Sequence, residues 1–489
     1  EKISFALKNN INSINRTGQW YFNIYAFLLN QFRSEQMKSK SLLLFIFLSS
    51  VILAQEYETG CLLDDSLYKD RPIAATLMRG NYDDLPKAVS LKQYAPTPGS
   101  QGPYGTCAGW ATAYSARTIL EAMKNLWNEG KADSNAFSPS FVYNQISKGN
   151  DCKGGTSLTD ALDVLREQGD VKLNDFQYSC DRKVTSIDKV KAQAFRILEY
   201  RDIVVGTTEH KEKYVRKSLA EGKPVVIAID IPRSFYRAKE VWIPDSSEYK
   251  NWGVGHAVTL VGYDDEKYGG AFEIMNSWGL NWGKKGFSWI RYSDFDFFCK
   301  YAFEVIDIRK KSTNKPDLSG SLLFKTSTGE EMKSSFNGEY FTMDKPYSSG
   351  TLFELIISNN EPAYVYAFSS DLTNDIYKIF PFSDKMVAYL PYRQNDVAIP
   401  DEESYNILDE TKGKSYYCFL YSNKAINIDS ILTVMKSADG AMWQKVKSVL
   451  KDYMVDMNDI KFDYNGRINF KAISRDKFLV PVLVEINHI

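Results

Sequence analysis

Apolar residues recur at helical spacing after residue 107, at Ala116, Ile119, Leu120, Met123, Leu126 and Trp127, and predict a buried helix that stops at Gly130 as its C-cap. Further along, the pattern changes to that of buried strands. Lys223 to Asp230 is a continuous apolar run after a charged helix, and Tyr301 to Ile308 reads the same way. Between them, His256-Ala257-Val258-Thr259-Leu260-Val261-Gly262-Tyr263 leads into turn signals at Asp264-Asp265 and Gly269-Gly270, then a second strand from Ala271 to Asn276. A hairpin symmetric about Glu266 sets His256 opposite Asn276. The polar stretch 309–319, which contains Pro316, separates a second region. From Leu322 onward that region is a series of short strand-like segments, among them Thr351–Ile357, Ala363–Phe368, Tyr416–Tyr421 and Phe478–Val484. Two short helices are predicted near Ile431 and Trp443. Its tyrosines are expected to pack across strands rather than to form a binding face.

Near the start, Met37 is followed by Lys38, Lys40 and the apolar run Ser41 to Ala54, after which the chain turns polar at Gln55-Glu56. The run is too short to cross a bilayer comfortably. Residues 37–54 therefore read as a secretory signal peptide, with the mature chain starting close to Gln55, and no stable membrane span is expected. Met37 is the expected biological start and residues 1–36 an upstream, non-native segment. Cys61 follows Glu58-Thr59-Gly60 and does not read as a lipid-anchor site. Residues 55–84 form a short N-terminal extension that could wrap a surface but hardly build a domain.

With 489 residues, 44% of them hydrophobic and 14% aromatic, the chain can bury two or three cores. Sixty basic against 61 acidic side chains leave a net charge of -1, so no global field draws it to nucleic acid. Arg309-Lys310-Lys311 reads as part of a solvated linker. No CxxC, HExxH or EF-hand pattern occurs, so neither a protein-bound metal nor a cofactor is expected.

The chemistry is concentrated elsewhere. Cys107 ends the run Gln101-Gly102-Pro103-Tyr104-Gly105-Thr106-Cys107, and His256 and Asn276-Ser277-Trp278-Gly279 follow downstream. A thiol, a base, an orienting amide and an oxyanion donor are the parts needed for acyl transfer through a thioester. Of the three histidines, His210 lies in a charged stretch and His488 is penultimate, which leaves His256. Cys107 opens its helix, where backbone N–H groups and the positive end of the helix dipole favour a thiolate, and an imidazolium at His256 would favour it further.

These residues resemble the papain family of cysteine peptidases, from the entry segment Leu85 to Pro98 through about Ile308. The resemblance implies a two-lobed α+β fold over 85–308, with a helical lobe, a β-barrel-like lobe and a cleft between Cys107 and His256 that takes an extended peptide or protein substrate. It also implies that Gln101, six residues before Cys107, donates to the oxyanion, that Asn276 orients His256, and that Trp278 shields the Asn276–His256 contact. The chain departs from the family at Tyr104 and Ala108 around the nucleophile and at Gly255 before the histidine. Cys152-Lys153-Gly154-Gly155 resembles the family's Cys-x-Gly-Gly turn, whose usual partner would stand at Tyr104. Cys180 is the candidate substitute in a Cys152–Cys180 disulfide, and sequence leaves that connectivity open. Cys299 and Cys418 read as buried thiols.

The region 320–489 is expected to be a separate β-rich accessory domain after a linker at 309–319. Tyr364 to Phe368, Ile379-Phe380-Pro381 and Ile399-Pro400 resemble a bacterial domain of unknown function often attached to catalytic domains. The whole is thus expected to be a secreted (extracellular or periplasmic) cysteine peptidase. A non-catalytic papain-like scaffold and a transpeptidase using the same thiol are the alternatives. Residues 55–84 leave no room for a long helical prosegment, so how activity is controlled stays open.

Overall fold

In the computed structural model, residues 57–149, 151–205, 210–308, 316–371 and 375–489 are described. The expected signal peptide, the segment before it and the basic run Arg309-Lys310-Lys311 lie outside them. Among the described residues, no helix is long and apolar enough to cross a membrane.

The first region is organised by a sheet of eight strands: β1 (Ala88–Ser90), β2 (Ile197–Asp202), β3 (Val225–Asp230), β4 (Val241–Trp242), β5 (Gly255–Asp264), β6 (Ala271–Met275), β7 (Phe287–Arg291) and β8 (Cys299–Asp307). They run in the order β2-β8-β3-β5-β6-β7-β4, with β1 also paired to β5. Both faces of β3 are buried because its side chains alternate between two cores. Val225, Ile227 and Ile229 join the aromatic core containing Trp242, Phe272 and Trp278, while Val226 and Ala228 join the core of Cys107, Ala111, Phe141 and Leu162. The helix that begins at Cys107 lies on the sheet through this second core.

That helix runs through Cys107–Gly109, a π-helical stretch Trp110–Arg117, and Thr118–Asn125. It ends earlier than the sequence pattern predicts. Leu126 takes the left-handed conformation at φ 54°, which is uncommon for a residue with a side chain, and caps the helix. Gly130 instead lies inside a separate helix, Glu129–Ser134, capped by the Asn128 side chain.

The region after 316 is a β-sandwich in which strand Leu318–Thr326 opens a six-stranded sheet and Ala363–Ser370, Gly413–Ser422 and Leu479–His488 lie side by side in a seven-stranded one. Leu322, Phe324, Val365, Phe419 and Val482 share the core between the sheets. On the opposite face, Tyr364, Tyr366 and Tyr416 pack with helices Ile428–Ser437 and Met442–Leu450, so these tyrosines are packing residues. The chain is therefore α+β with an additional β-rich region.

Tyr57–Ile489 forms one compact unit, and its two regions meet on a buried polar seam. Glu304 of β8 is fully buried and accepts hydrogen bonds from Arg201 Nε (2.5 Å), Ser218 Oγ (2.8 Å) and the hydroxyl of Tyr392. Arg201, equally buried, also donates to the Tyr389 carbonyl at 3.3 Å. A charge pair withdrawn from water this far needs all of these partners, and two of them come from the second region.

Candidate active site

Cys107 is the first residue of its helix and is fully buried. The N–H groups of Ala257, Ala108, Cys107 and Gly60 face its sulfur and pull its pKa down, but burial outweighs them and pushes the thiol up to about 12. The thiolate expected from the helix terminus is therefore absent in this state, because desolvation opposes the charged form more strongly than a few N–H groups favour it.

Asn276 ends the second arm of the hairpin. Its Oδ1 accepts the Ser277 N–H at 2.8 Å and stands 2.7 Å from His256 Nε2. An amide oxygen only accepts, so Nε2 carries the proton and Nδ1 keeps its lone pair. Among the described residues, Nδ1 is buried without a hydrogen-bond partner. Burial holds the His256 imidazole down at about 4, against a smaller upward pull from Asn276, so the ring is neutral near pH 7.

The contact arises from a different register than the sequence suggests. Thr259 faces Met275 and Tyr263 faces Phe272, with a bulge between Leu260 and Gly262, which continues to place Val258 rather than His256 opposite Asn276. His256 lies two residues further along the same face, within the diagonal reach of a long side chain. The hairpin is not symmetric about Glu266 because its turn is a helical one over Lys267–Gly269 with Tyr268 left-handed.

Trp278 is buried and stacks on His256, with ring centroids 4.5 Å apart. Gln101 is also buried. Its Oε1 accepts from Ser277 Oγ at 2.6 Å, its N–H donates to the Ser277 carbonyl, and its own carbonyl accepts from Tyr178 at 2.8 Å. Since Tyr178 has a single proton, already given to Gln101, the 2.7 Å contact with Thr106 must be donated by the threonine. Ser277 thus fixes the amide that sequence spacing singled out, and Tyr178 fixes the main chain that carries it. Nothing in the local sequence marks Tyr178, which lies 77 residues from Gln101.

The cleft is occupied by the chain's own N-terminal extension. Glu58 presents its carbonyl to Gln101 Nε2 (2.9 Å) and Trp278 Nε1 (2.9 Å), and Tyr57 stacks flat on Trp278 at 4.7 Å. Gly60 and Cys61 donate to the Gly255 carbonyl at 3.3 and 3.1 Å. On the other wall, Thr156 N–H donates to the Gly60 carbonyl (2.8 Å) and Leu62 N–H to the Thr156 carbonyl (3.0 Å). The segment Tyr57–Leu63, called here the strap, is held on both walls by backbone hydrogen bonds.

Glycine at three flanking positions makes this fit possible. A Cβ on Gly255 would lie 1.9 Å from the Cys61 carbonyl oxygen, one on Gly60 would lie 2.2 Å from the Gly105 oxygen, and one on Gly155 would meet Leu62 at 2.8 Å. Cys152 and Cys180 are disulfide-bonded, and the Cys152 carbonyl accepts from Gly105 N–H at 2.7 Å, which ties the Cys152–Gly155 wall to the nucleophile loop. Cys299 and Cys418 are buried free thiols. Among the described residues, no group of three or more potential metal ligands occurs.

Residues 99–306 match the family described as papain family cysteine protease, so this stretch of the chain is a papain-family domain. Mouse cathepsin K is 28% identical over 199 residues, which are 40% of this chain and 56% of that protein. The gamete and mating-type specific protein A of Dictyostelium discoideum is 30% identical over 196 residues, 40% of each chain, and cysteine proteinase 3 of Entamoeba histolytica is 27% identical over 204 residues, 41% of this chain and 61% of that one. The chain thus spans between 40% and 61% of the length of these relatives. Among solved structures, xylellain, a cysteine protease from Xylella fastidiosa, aligns over 52% of this chain and 98% of its own with 22% identity and a TM-score of 0.44.

Proposed function

We propose that this chain is a cysteine peptidase that hydrolyses peptide bonds through Cys107, His256, Asn276 and Gln101. The observation that carries the reading is the hydrogen-bonded pair His256–Asn276, with no partner for Nδ1 among the described residues, on the strand whose next residue, Ala257, turns its N–H to the sulfur of a helix-opening Cys107.

With the strap out of the cleft, water reaches both groups, and the desolvation that keeps the thiol and imidazole neutral is relieved. The Cys107 proton then passes to His256 Nδ1. The thiolate attacks the substrate carbonyl carbon, and the N–H groups of Gln101 Nε2 and Cys107 receive the charge that builds on oxygen. His256 returns the proton to the departing amine as the C–N bond breaks. It next takes a proton from water, whose oxygen displaces the sulfur from the thioester and releases the acid. That Gln101 Nε2 already donates to a peptide carbonyl, that of Glu58, supports its assignment as the oxyanion donor.

The apolar run before Gln55 supports export of the chain. Aminolysis of the same thioester would make the protein a transpeptidase with no change in these roles, and only the products distinguish the two. The test is mass spectrometry of the chain, opened by Gly60→Val, after incubation with a thiol-directed epoxide and with a mixed peptide library. The epoxide should label Cys107 and the library should yield hydrolysed peptides, while Cys107→Ala should lose both. A labelled Cys107 without any cleaved or joined peptide would leave a non-catalytic scaffold as the reading.

A further inference from the structure

The strap does not end at the cleft. After the short helix Asp65–Tyr68 and the Arg71–Asp202 ion pair (2.6 Å), the chain enters the space between the two regions. Ile73 bridges in parallel to Asp202 at the end of β2 and to Met386 of the β-rich region. Its N–H donates to the Lys385 carbonyl (2.8 Å), and its carbonyl accepts from Val387 N–H (2.9 Å). Ala75 and Leu77 are buried, and the core they join is that of the β-sandwich, with Leu318, Phe353 and Val480. Met78 N–H then donates to the Asp396 carbonyl (2.9 Å), and Asn81 both donates to that carbonyl (3.2 Å) and accepts from Asp396 N–H (3.1 Å).

We propose that the C-terminal β-rich region is the anchor of an autoinhibitory strap: by holding residues 73–81 it keeps residues 57–63 seated over Cys107. Within the cleft the strap is held by hydrogen bonds of modest net worth, by the Tyr57–Trp278 stack and by the buried Cys61, and Tyr68 behind it is buried in the same core. The further apolar burial of Ala75 and Leu77 lies in the sandwich core, so part of the grip on the catalytic lobe is set by a region that contributes no atom to the site. Whatever loosens the sandwich's hold on Ala75–Asn81, such as a partner at that seam, opens the cleft without touching it. The proposal rests on the peptidase reading only in taking Cys107 as the thiol to be uncovered.

The experiment compares alkylation of Cys107 by a small epoxide at neutral pH in the full chain and in three full-length variants. Asn81→Ala alters a half-buried polar contact and leaves the apolar cores intact, Leu77→Ala/Asn81→Ala also empties the strap's place in the sandwich, and Gly60→Val unseats the strap directly. Asn81→Ala should label about tenfold faster than the unaltered chain and the double variant about a hundredfold faster, approaching Gly60→Val. Unchanged labelling in both anchor variants beside fast labelling in Gly60→Val would overturn the anchoring role and leave the peptidase reading standing. Labelling no faster in Gly60→Val than in the unaltered chain would overturn it as well. Fast labelling in all three with no peptide cleaved would uphold the anchor and reject the peptidase.

Discussion

Gln101 has two duties that pull its mutational phenotype in opposite directions. In the occluded chain its amide holds the Glu58 carbonyl, and in the working site it is assigned to the oxyanion. Gln101→Ala in the Gly60→Val background, where the strap is already displaced, should therefore slow acylation by roughly 10²- to 10³-fold while alkylation of Cys107 stays within a few fold. Parallel acylation and alkylation rates on that double variant check it, and equal loss of both would mark Gln101 as structural. His256 adds a pH dependence. Its imidazole is held at about 4 when covered and returns toward the ordinary 6.5 when the strap leaves, so between those values the open form binds the extra proton. The covered form is then fully favoured above pH 6.5 and loses ground as pH falls through 6.5 toward 4, by up to roughly two orders of magnitude. Cys107 acts in the alkaline range, where the open thiol ionises more readily than the covered one. Hydrogen exchange at Thr156 N–H, which is donated to Gly60, should accordingly quicken from pH 6.5 to 4.5 relative to the intrinsic rate. A flat profile over that range would exclude His256 as the acid-sensitive group.

At the scale of single elements, Gly255 is the clearest case of a sequence departure explained by a neighbour. It opens β5 in place of the Asp or Asn usual in plant and lysosomal relatives of the papain family, and the Cys61 carbonyl passes where a side chain would stand. Gly255→Ala should thus push the strap outward and speed Cys107 labelling at least tenfold in the full chain, while the rate in the Gly60→Val background changes little. The same comparison shows what sequence reading could reach. The helix opened by Cys107, the strand of His256 and the sandwich strands with their two helices were legible because each has a strong local period. The place where that helix stops was not, since a left-handed Leu126 breaks the usual preference for glycine. Nor was the hairpin register, which depends on a bulge and a helical turn rather than on counting from the centre. Asn276 still meets His256 because a side chain spans a diagonal. Least legible was the strap. Its hold comes from backbone groups and from partners such as Thr156 and Asp396, which lie far along the chain and leave no periodic mark.

For the whole molecule, the connection from the strap to β1 is as consequential as the strap itself. Asp83 and Asp84 are exposed just after the anchor, and the chain there continues directly into the catalytic lobe. While that link is intact, the strap is a tethered ligand whose local concentration is set by the tether and not by the amount of protein present. Latency should then be the same at nanomolar and micromolar protein. Once a protease site introduced at Asp83-Asp84 has been cut, the fragment stays bound by contacts alone, and its occupancy follows ordinary mass action. Dilution of the cut protein should raise peptide turnover per molecule, and adding back the fragment should suppress it, whereas the uncut chain should respond to neither. Turnover of the cut protein that is independent of dilution would show that the fragment either never leaves or never inhibits. Breaking the single peptide link at the end of the strap therefore converts a concentration-independent block into a reversible inhibitor whose strength is fixed by how much protein is in the compartment.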